Sequence, residues 1–154
     1  MKWIRILLAI LFALLLLGSL SAQERNKGSV ELRIIMPEGE YTGSLRVLLF
    51  NGKDGFPFSL RDTYRMMALM PTEQVLQTSF EELPPGRYAI SVWHDEDRDF
   101  NLDKSLTGRH AECTGFSNNP RQRLFRGPSF QSCSFVVGKE GVSVTVDLRH
   151  RHHE

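Results

Sequence analysis

Ten consecutive residues carry the densest chemistry in this chain: His94-Asp95-Glu96-Asp97-Arg98-Asp99-Phe100-Asn101-Leu102-Asp103. Oxygen-bearing side chains recur at every second position, at Asp95, Asp97, Asp99, Asn101 and Asp103. A tightly curled loop with this spacing can turn successive carboxylates toward one centre. A hard cation such as Ca2+ takes about six to eight such oxygens, some of them backbone carbonyls and waters. With no cation, the same carboxylates repel one another and disfavour a compact loop. The match to a helix–loop–helix calcium loop is partial: Phe100 stands where that loop carries glycine, and Leu106 where it carries a bidentate glutamate. Two readings therefore stand. One is a Ca2+ site completed from elsewhere in the chain; the other is a solvated acidic turn held by Asx-type bonds, with Arg98 and Lys104 beside it.

The remaining candidate ligands are weaker. His94 reads as a strand-end histidine packed beside Trp93, with a ligand role as the alternative, and His110 is equally ambiguous. His150, His152 and His153 belong to a polar tail expected to be disordered over 150–154. Met66, Met67 and Met70 offer soft thioethers of the kind that bind Cu(I), but methionines at helical spacing read first as core filler. Transition metals as a class fit poorly, because a run of carboxylates favours hard ions. HExxH, GxSxG, a Walker loop and a dinucleotide glycine fingerprint are all absent, so a non-enzymatic protein is expected. A carboxylate pair for glycoside hydrolysis is the one catalytic option the residues leave open.

The elements that must position these groups read mainly as strands. Val30, Leu32 and Ile34 alternate with Glu31 and Arg33, and Leu45, Val47 and Leu49 alternate next, closed by Asn51-Gly52. Val75–Phe80 forms a third run, ended by Leu83-Pro84-Pro85-Gly86, whose prolines and glycine fix a tight turn. Tyr88, Ile90 and Val92 mark one face of the strand that delivers the acidic loop. Ser132–Val137 and Val142–Leu148 supply two more. Between 57 and 70, Leu60, Tyr64, Met67 and Met70 fit a helical spacing, predicting a short helix or a structured crossover. About six to seven strands with short turns and one crossover imply an all-β fold, a single Ig-like antiparallel β-sandwich. The long amphipathic helices of a doubly wound α/β fold are missing.

The first residues bear on compartment. Lys2 and Arg5 precede an unbroken apolar run from Ile6 to Leu17, followed by Gly18-Ser19-Leu20-Ser21-Ala22. This is the three-part pattern of a secretory signal peptide. The run is shorter than the roughly twenty residues of a membrane span. Residues 1–22 are therefore set apart, a sandwich domain is expected over 23–149, and the protein is expected in the periplasm or secreted, with no membrane span after cleavage. Without Lys2 and Arg5, seventeen basic residues face eighteen acidic ones, a net charge of −1. That balance argues against nucleic acid as a partner. In an oxidising compartment the lone pair Cys113 and Cys133 reads as one disulfide, closing a loop of about twenty residues and contributing roughly 3 kcal/mol. Two free thiols or a metal pair are the alternatives.

Several segments together carry a resemblance. Phe80-Glu81-Glu82-Leu83-Pro84-Pro85-Gly86-Arg87-Tyr88-Ala89-Ile90 runs into His94-Asp95-Glu96-Asp97, and Gly115-Phe116-Ser117-Asn118-Asn119 and Gly127-Pro128-Ser129-Phe130 follow. With Leu49-Phe50-Asn51 and Gly55-Phe56-Pro57, the chain resembles the bacterial exported domain-of-unknown-function family 2141 over roughly residues 29–149. The resemblance implies an Ig-like or transthyretin-like sandwich and no established activity. The family's acidic loop usually reads His-Asp-Glu-Asn-Gly-Asn-Gly-x-Leu-Asp, which puts Asp95, Asp97, Asp99, Asn101 and Asp103 at its oxygen-bearing positions. Arg98 and Phe100 replace its glycines, and glycine is the residue that most readily takes the positive φ of a tight curl. Gly115, Phe116, Ser117, Asn118 and Asn119 could line a binding surface, although turn chemistry explains them as well.

The leading expectation is thus an extracytoplasmic, non-enzymatic module with a Ca2+-ordered loop at 95–103, presenting loops to an unknown envelope or extracellular ligand. The alternative is an adhesion or carbohydrate- or peptide-binding module without metal, which exposed aromatic rings on one sheet face would favour. A hydrolase is a third reading and requires two carboxylates in a pocket or a nucleophile–base pair.

Overall fold

The computed structural model describes residue 3 and residues 26–39, 41–98, 112–121 and 127–150. Eight strands and one four-residue helix are formed among them: β1 (Gly28–Ile35), β2 (Ser44–Phe50), β3 (Arg65–Leu69), β4 (Val75–Leu83), β5 (Gly86–Asp95), β6 (Thr114–Phe116), α1 (Phe130–Cys133), β7 (Phe135–Val137) and β8 (Val142–Asp147). They make two sheets. The first has the order β4-β1-β8; the second has the order β3-β2-β5-β6, with β7 paired to the start of β5.

The period-2 patterning of β1 has a direct cause: its burial alternates strictly, with Val30, Leu32 and Ile34 inward. These side chains meet Leu45, Val47 and Leu49 of β2 and Tyr88, Ile90 and Val92 of β5, together with Val144 and Val146 of β8, in one core between the sheets. The sandwich reading therefore holds, with one modification: β1 and β8 run parallel, Val30 opposite Val142 through Ile35 opposite Asp147. The other pairings are antiparallel.

Strand β2 is buried at all seven positions, because the second sheet is covered on both faces. Its outer face carries Leu48, Phe50 and Trp93, joined by Ala89, Phe116 and Cys133, and is roofed by Phe56, Phe58 and Phe130. The rings meet edge to face, Phe50 with Phe56 at 5.3 Å and Phe56 with Phe130 at 5.9 Å between centroids. Ser91 Oγ donates to the Pro57 carbonyl, tying this roof to β5.

Two local expectations are corrected. Of the short helix or structured crossover anticipated over 57–70, the helix is not formed: turns and bends lead through residue 64 and the chain then enters β3, paired antiparallel with β2. Met66 and Met70 are consequently exposed, whereas Met67 packs against the core and accepts a hydrogen bond from Thr78 Oγ1. Neighbouring strand residues point to opposite faces, so Met66 and Met67 diverge and make no thioether pair. The strand anticipated over 132–137 is divided between the end of α1, capped by Ser129 Oγ accepting from the Ser132 amide, and β7.

Candidate metal centre

The acidic cluster sits at the C-terminal end of β5, on the outer face of the second sheet. In β5, Tyr88, Ile90, Val92 and His94 face the other sheet, so Ala89, Ser91, Trp93 and Asp95 face outward. Asp95 is fully buried. Its Oδ2 accepts from Arg46 Nε and lies 3.0 Å from Arg46 Nη2, in an ion pair whose side chains are 0% and 8% exposed. Among the described residues its Oδ1 has no hydrogen-bond partner. A buried polar atom left in that state costs about 1–3 kcal/mol, so this oxygen is the anomaly of the site.

Two further carboxylates converge there. Asp97, exposed, and Glu112, buried, each place an oxygen with one of Asp95 so that all three atoms lie within 4.8 Å of one another. Glu112 comes from a different part of the chain. Trp93 pairs with Thr114 across β5 and β6, and the His94 amide donates to the Cys113 carbonyl at 2.9 Å. Continuing that register sets Glu112 opposite Asp95 on the same face. Glu112 Oε1 also accepts from the Glu96 amide at 3.3 Å.

The backbone is shaped around this point. Gly43 takes φ +68°, and a Cβ there would lie 2.3 Å from the Asp95 carbonyl oxygen and 2.6 Å from the Glu96 Cα; only glycine allows that approach. Arg98 takes φ +64°. The positive φ for which the resembled pattern uses glycine is therefore taken here by an arginine, whose Nη2 reaches the Gly43 carbonyl at 3.4 Å.

Of the five sequence-predicted ligands, Asp95 and Asp97 are brought together. Asp99, Asn101 and Asp103 lie outside the described residues, as do residues 1–22 except Trp3. Glu112 was missed, because nothing in its local sequence marks it; only the strand register does. His94 stands on the opposite face, its Nε2 donating to the Thr42 carbonyl at 2.6 Å and its Nδ1 3.7 Å from Glu96 Oε1.

The disulfide expectation is overturned: Cys113 and Cys133 are free thiols. Cys113 belongs to the core between the sheets, whereas Cys133, the last residue of α1, packs with Ala89 and Phe116 on the outer face of the second sheet. One sheet separates them, and a disulfide requires facing Cβ atoms about 4 Å apart. Burial, reinforced by Glu96 and Glu112, pushes the Cys113 thiol up to about 12, and burial pushes Cys133 up to about 11, partly offset by a hydrogen bond with Ser132. The His150 ring nitrogens lie 3.2 and 3.4 Å from Cys113 Sγ, which makes His150 part of the ordered fold. A thiol held this high meets the imidazole as a neutral hydrogen-bonding group, not as an activated nucleophile.

The stretch Gly115–Asn119 is spent within the fold. Gly115, Phe116 and Ser117 are buried. Ser117 Oγ donates to the Cys133 carbonyl at 2.6 Å and accepts from the Ile90 amide at 2.9 Å. Asn118 Nδ2 donates to the Ser134 carbonyl, and the Asn119 amide pairs with the backbone of β8, Nδ2 to the Thr145 carbonyl and Oδ1 from the Asp147 amide. Turn and clamp chemistry, the second of the two sequence readings, accounts for these side chains.

The fold and site together define a two-sheet β-sandwich with a three-carboxylate cluster at the end of a central strand. Within that class the chain belongs to the bacterial family described as "Uncharacterized protein conserved in bacteria (DUF2141)", whose model matches residues 36–145. No curated protein and no solved structure matches it. No helix among the described residues is long and apolar enough to cross a membrane.

Proposed function

We propose that this protein is an exported, non-enzymatic β-sandwich module whose strand-end cluster binds Ca2+, the cation ordering the acidic loop that follows β5. The observation that carries the reading is the Oδ1 of the fully buried Asp95, without a hydrogen-bond partner among the described residues and converging with Asp97 and Glu112. A divalent ion gives that oxygen a partner and offsets the repulsion among three carboxylates. The donor set is all oxygen, which favours a hard ion over Zn2+ or Cu+. Arg46 does not replace the cation, since its guanidinium engages the other oxygen, Oδ2. Export rests on the pattern of residues 1–22. A metal-free carbohydrate-binding module is less well supported. The outer face of the first sheet is an open groove of about 680 Å3 lined by Glu31, Arg33, Gln77, Ser79, Ser143 and Thr145, with no ring on which a sugar could stack.

Calorimetric titration of the chelated protein with CaCl2 tests the reading. One saturable site is expected. Asp97→Asn should weaken it severely while leaving the chelated protein's stability within about 0.5 kcal/mol, as for an exposed substitution. Asp95→Asn should also lower stability, by about 3 kcal/mol or more, because the buried Arg46 guanidinium loses that carboxylate. Absence of heat at millimolar calcium would leave the cluster a structural ion-pair network.

A further inference from the structure

All three buried side-chain polar atoms without a partner among the described residues are Ser44 Oγ, Trp93 Nε1 and Asp95 Oδ1. They do not scatter. The register of β2 and β5 sets Ser44 opposite Asp95 and Arg46 opposite Trp93, and directly opposed residues share a sheet face. The parity of β2, with Leu45, Val47 and Leu49 inward, places Ser44 and Arg46 on the outer face with Trp93 and Asp95. The unsatisfied atoms therefore occupy two adjacent cross-strand rows at one end of one face. Glu112 extends the outermost row on the far side of Asp95.

From this row we infer that Ser44 is a further ligand of the cation, its hydroxyl oxygen approaching from β2 while Glu112 approaches from the β6 side. The inference rests on the calcium reading above. It adds that the site draws on β2 and on the segment leading into β6, as well as on the end of β5 and Asp97 just after it. Opposed residues have Cβ atoms about 5 Å apart, a span that an ion seated over the middle residue can bridge. Ser44 is 5% exposed, and its hydroxyl has no hydrogen-bond partner among the described residues. A neutral oxygen is the appropriate donor at this point, because Arg46 stands one row in on the same strand and three carboxylates already supply the negative charge. Gly43, which precedes Ser44 and lies against the Asp95 and Glu96 backbone, fixes how closely this end of β2 approaches.

The test compares Ca2+ and Cd2+ binding by the full-length protein, Ser44→Ala and Ser44→Cys, each melted in chelator to verify folding. Ser44→Ala should weaken Ca2+ at least about tenfold, the lower bound for losing a partner at a metal site. Ser44→Cys should weaken Ca2+ and tighten Cd2+ relative to the native protein, since a thiolate is a soft ligand; this exchange of preference is not produced by a packing defect. Should Ser44→Ala not fold, the near-isosteric Ser44→Cys decides alone. Native binding with both variants within about twofold of it for both ions overturns the assignment of Ser44 and leaves the calcium reading intact. No binding by the native protein removes both.

Discussion

Arg98 holds a conformation that side chains with a Cβ take at a cost. It follows Asp97 at φ +64°, in the left-handed region. The left-handed region costs roughly 1–2 kcal/mol for a residue with a Cβ, and glycine avoids most of that. Arg98→Gly should raise the melting free energy of the protein by about 1 kcal/mol and leave calcium affinity equal or better, read by paired melts and titrations. A loss of stability would mean that the Arg98 bond to the Gly43 carbonyl outweighs the strain. At this scale the sequence was half legible. Alternating oxygens flagged Asp95 and Asp97 because ligands close together in the chain show up as spacing. Glu112 and Ser44 were illegible, because they join Asp95 only through strand register, which no local pattern encodes.

Element by element, alternating apolar residues on the core-facing side made β1, β2 and β5 legible, whereas strands whose pattern mimics another period or is very short were not. β1 alternates because its other face is polar, whereas β5, buried on both faces, is legible from the inward run Tyr88, Ile90 and Val92. β3 was masked because Leu60, Tyr64, Met67 and Met70 fit a 3.6-residue period by coincidence, while its true alternation is blurred by exposed Met66. The short β6 was not recognised, since three residues carry too little pattern to call a strand. Its following turn supplies a device that sequence suggested only as turn chemistry: the Asn119 side chain pairs with the backbone of β8 like a fragment of an added strand. Asn119→Ala should cost about 1–3 kcal/mol and selectively speed hydrogen exchange at the Asp147 amide. Unchanged exchange there would show that the clamp does not hold the β8 edge.

For the whole molecule, the two high thiols impose a pH dependence. Well below about pH 8.5 both are protonated whether the chain is folded or not. Above it the unfolded chain releases protons that the folded protein keeps until about 12 at Cys113 and about 11 at Cys133. The folded state then binds more protons, so stability falls as pH rises through this window. Melting should decline more steeply above about pH 9 for the native protein than for a Cys113→Ala, Cys133→Ala variant; parallel curves would contradict the assignment. The same separation of the cysteines means the sandwich is held by its two apolar layers, with no covalent bond between these residues. A cation that binds only the folded state adds stability by mass action, about 2.7 kcal/mol at a hundred times its dissociation constant.

A hard cation seated over Asp95 would lie close to Trp93, which stands two residues earlier on the same face. Terbium is a hard, calcium-sized ion whose luminescence is sensitised by a nearby indole. With Trp3→Phe in place, Trp93 is the only tryptophan in the chain. Indole excitation of that protein should produce saturable terbium emission that Ca2+ displaces and that Asp97→Asn abolishes. Emission that is absent, or that calcium fails to compete away, would contradict a cation site at this strand end.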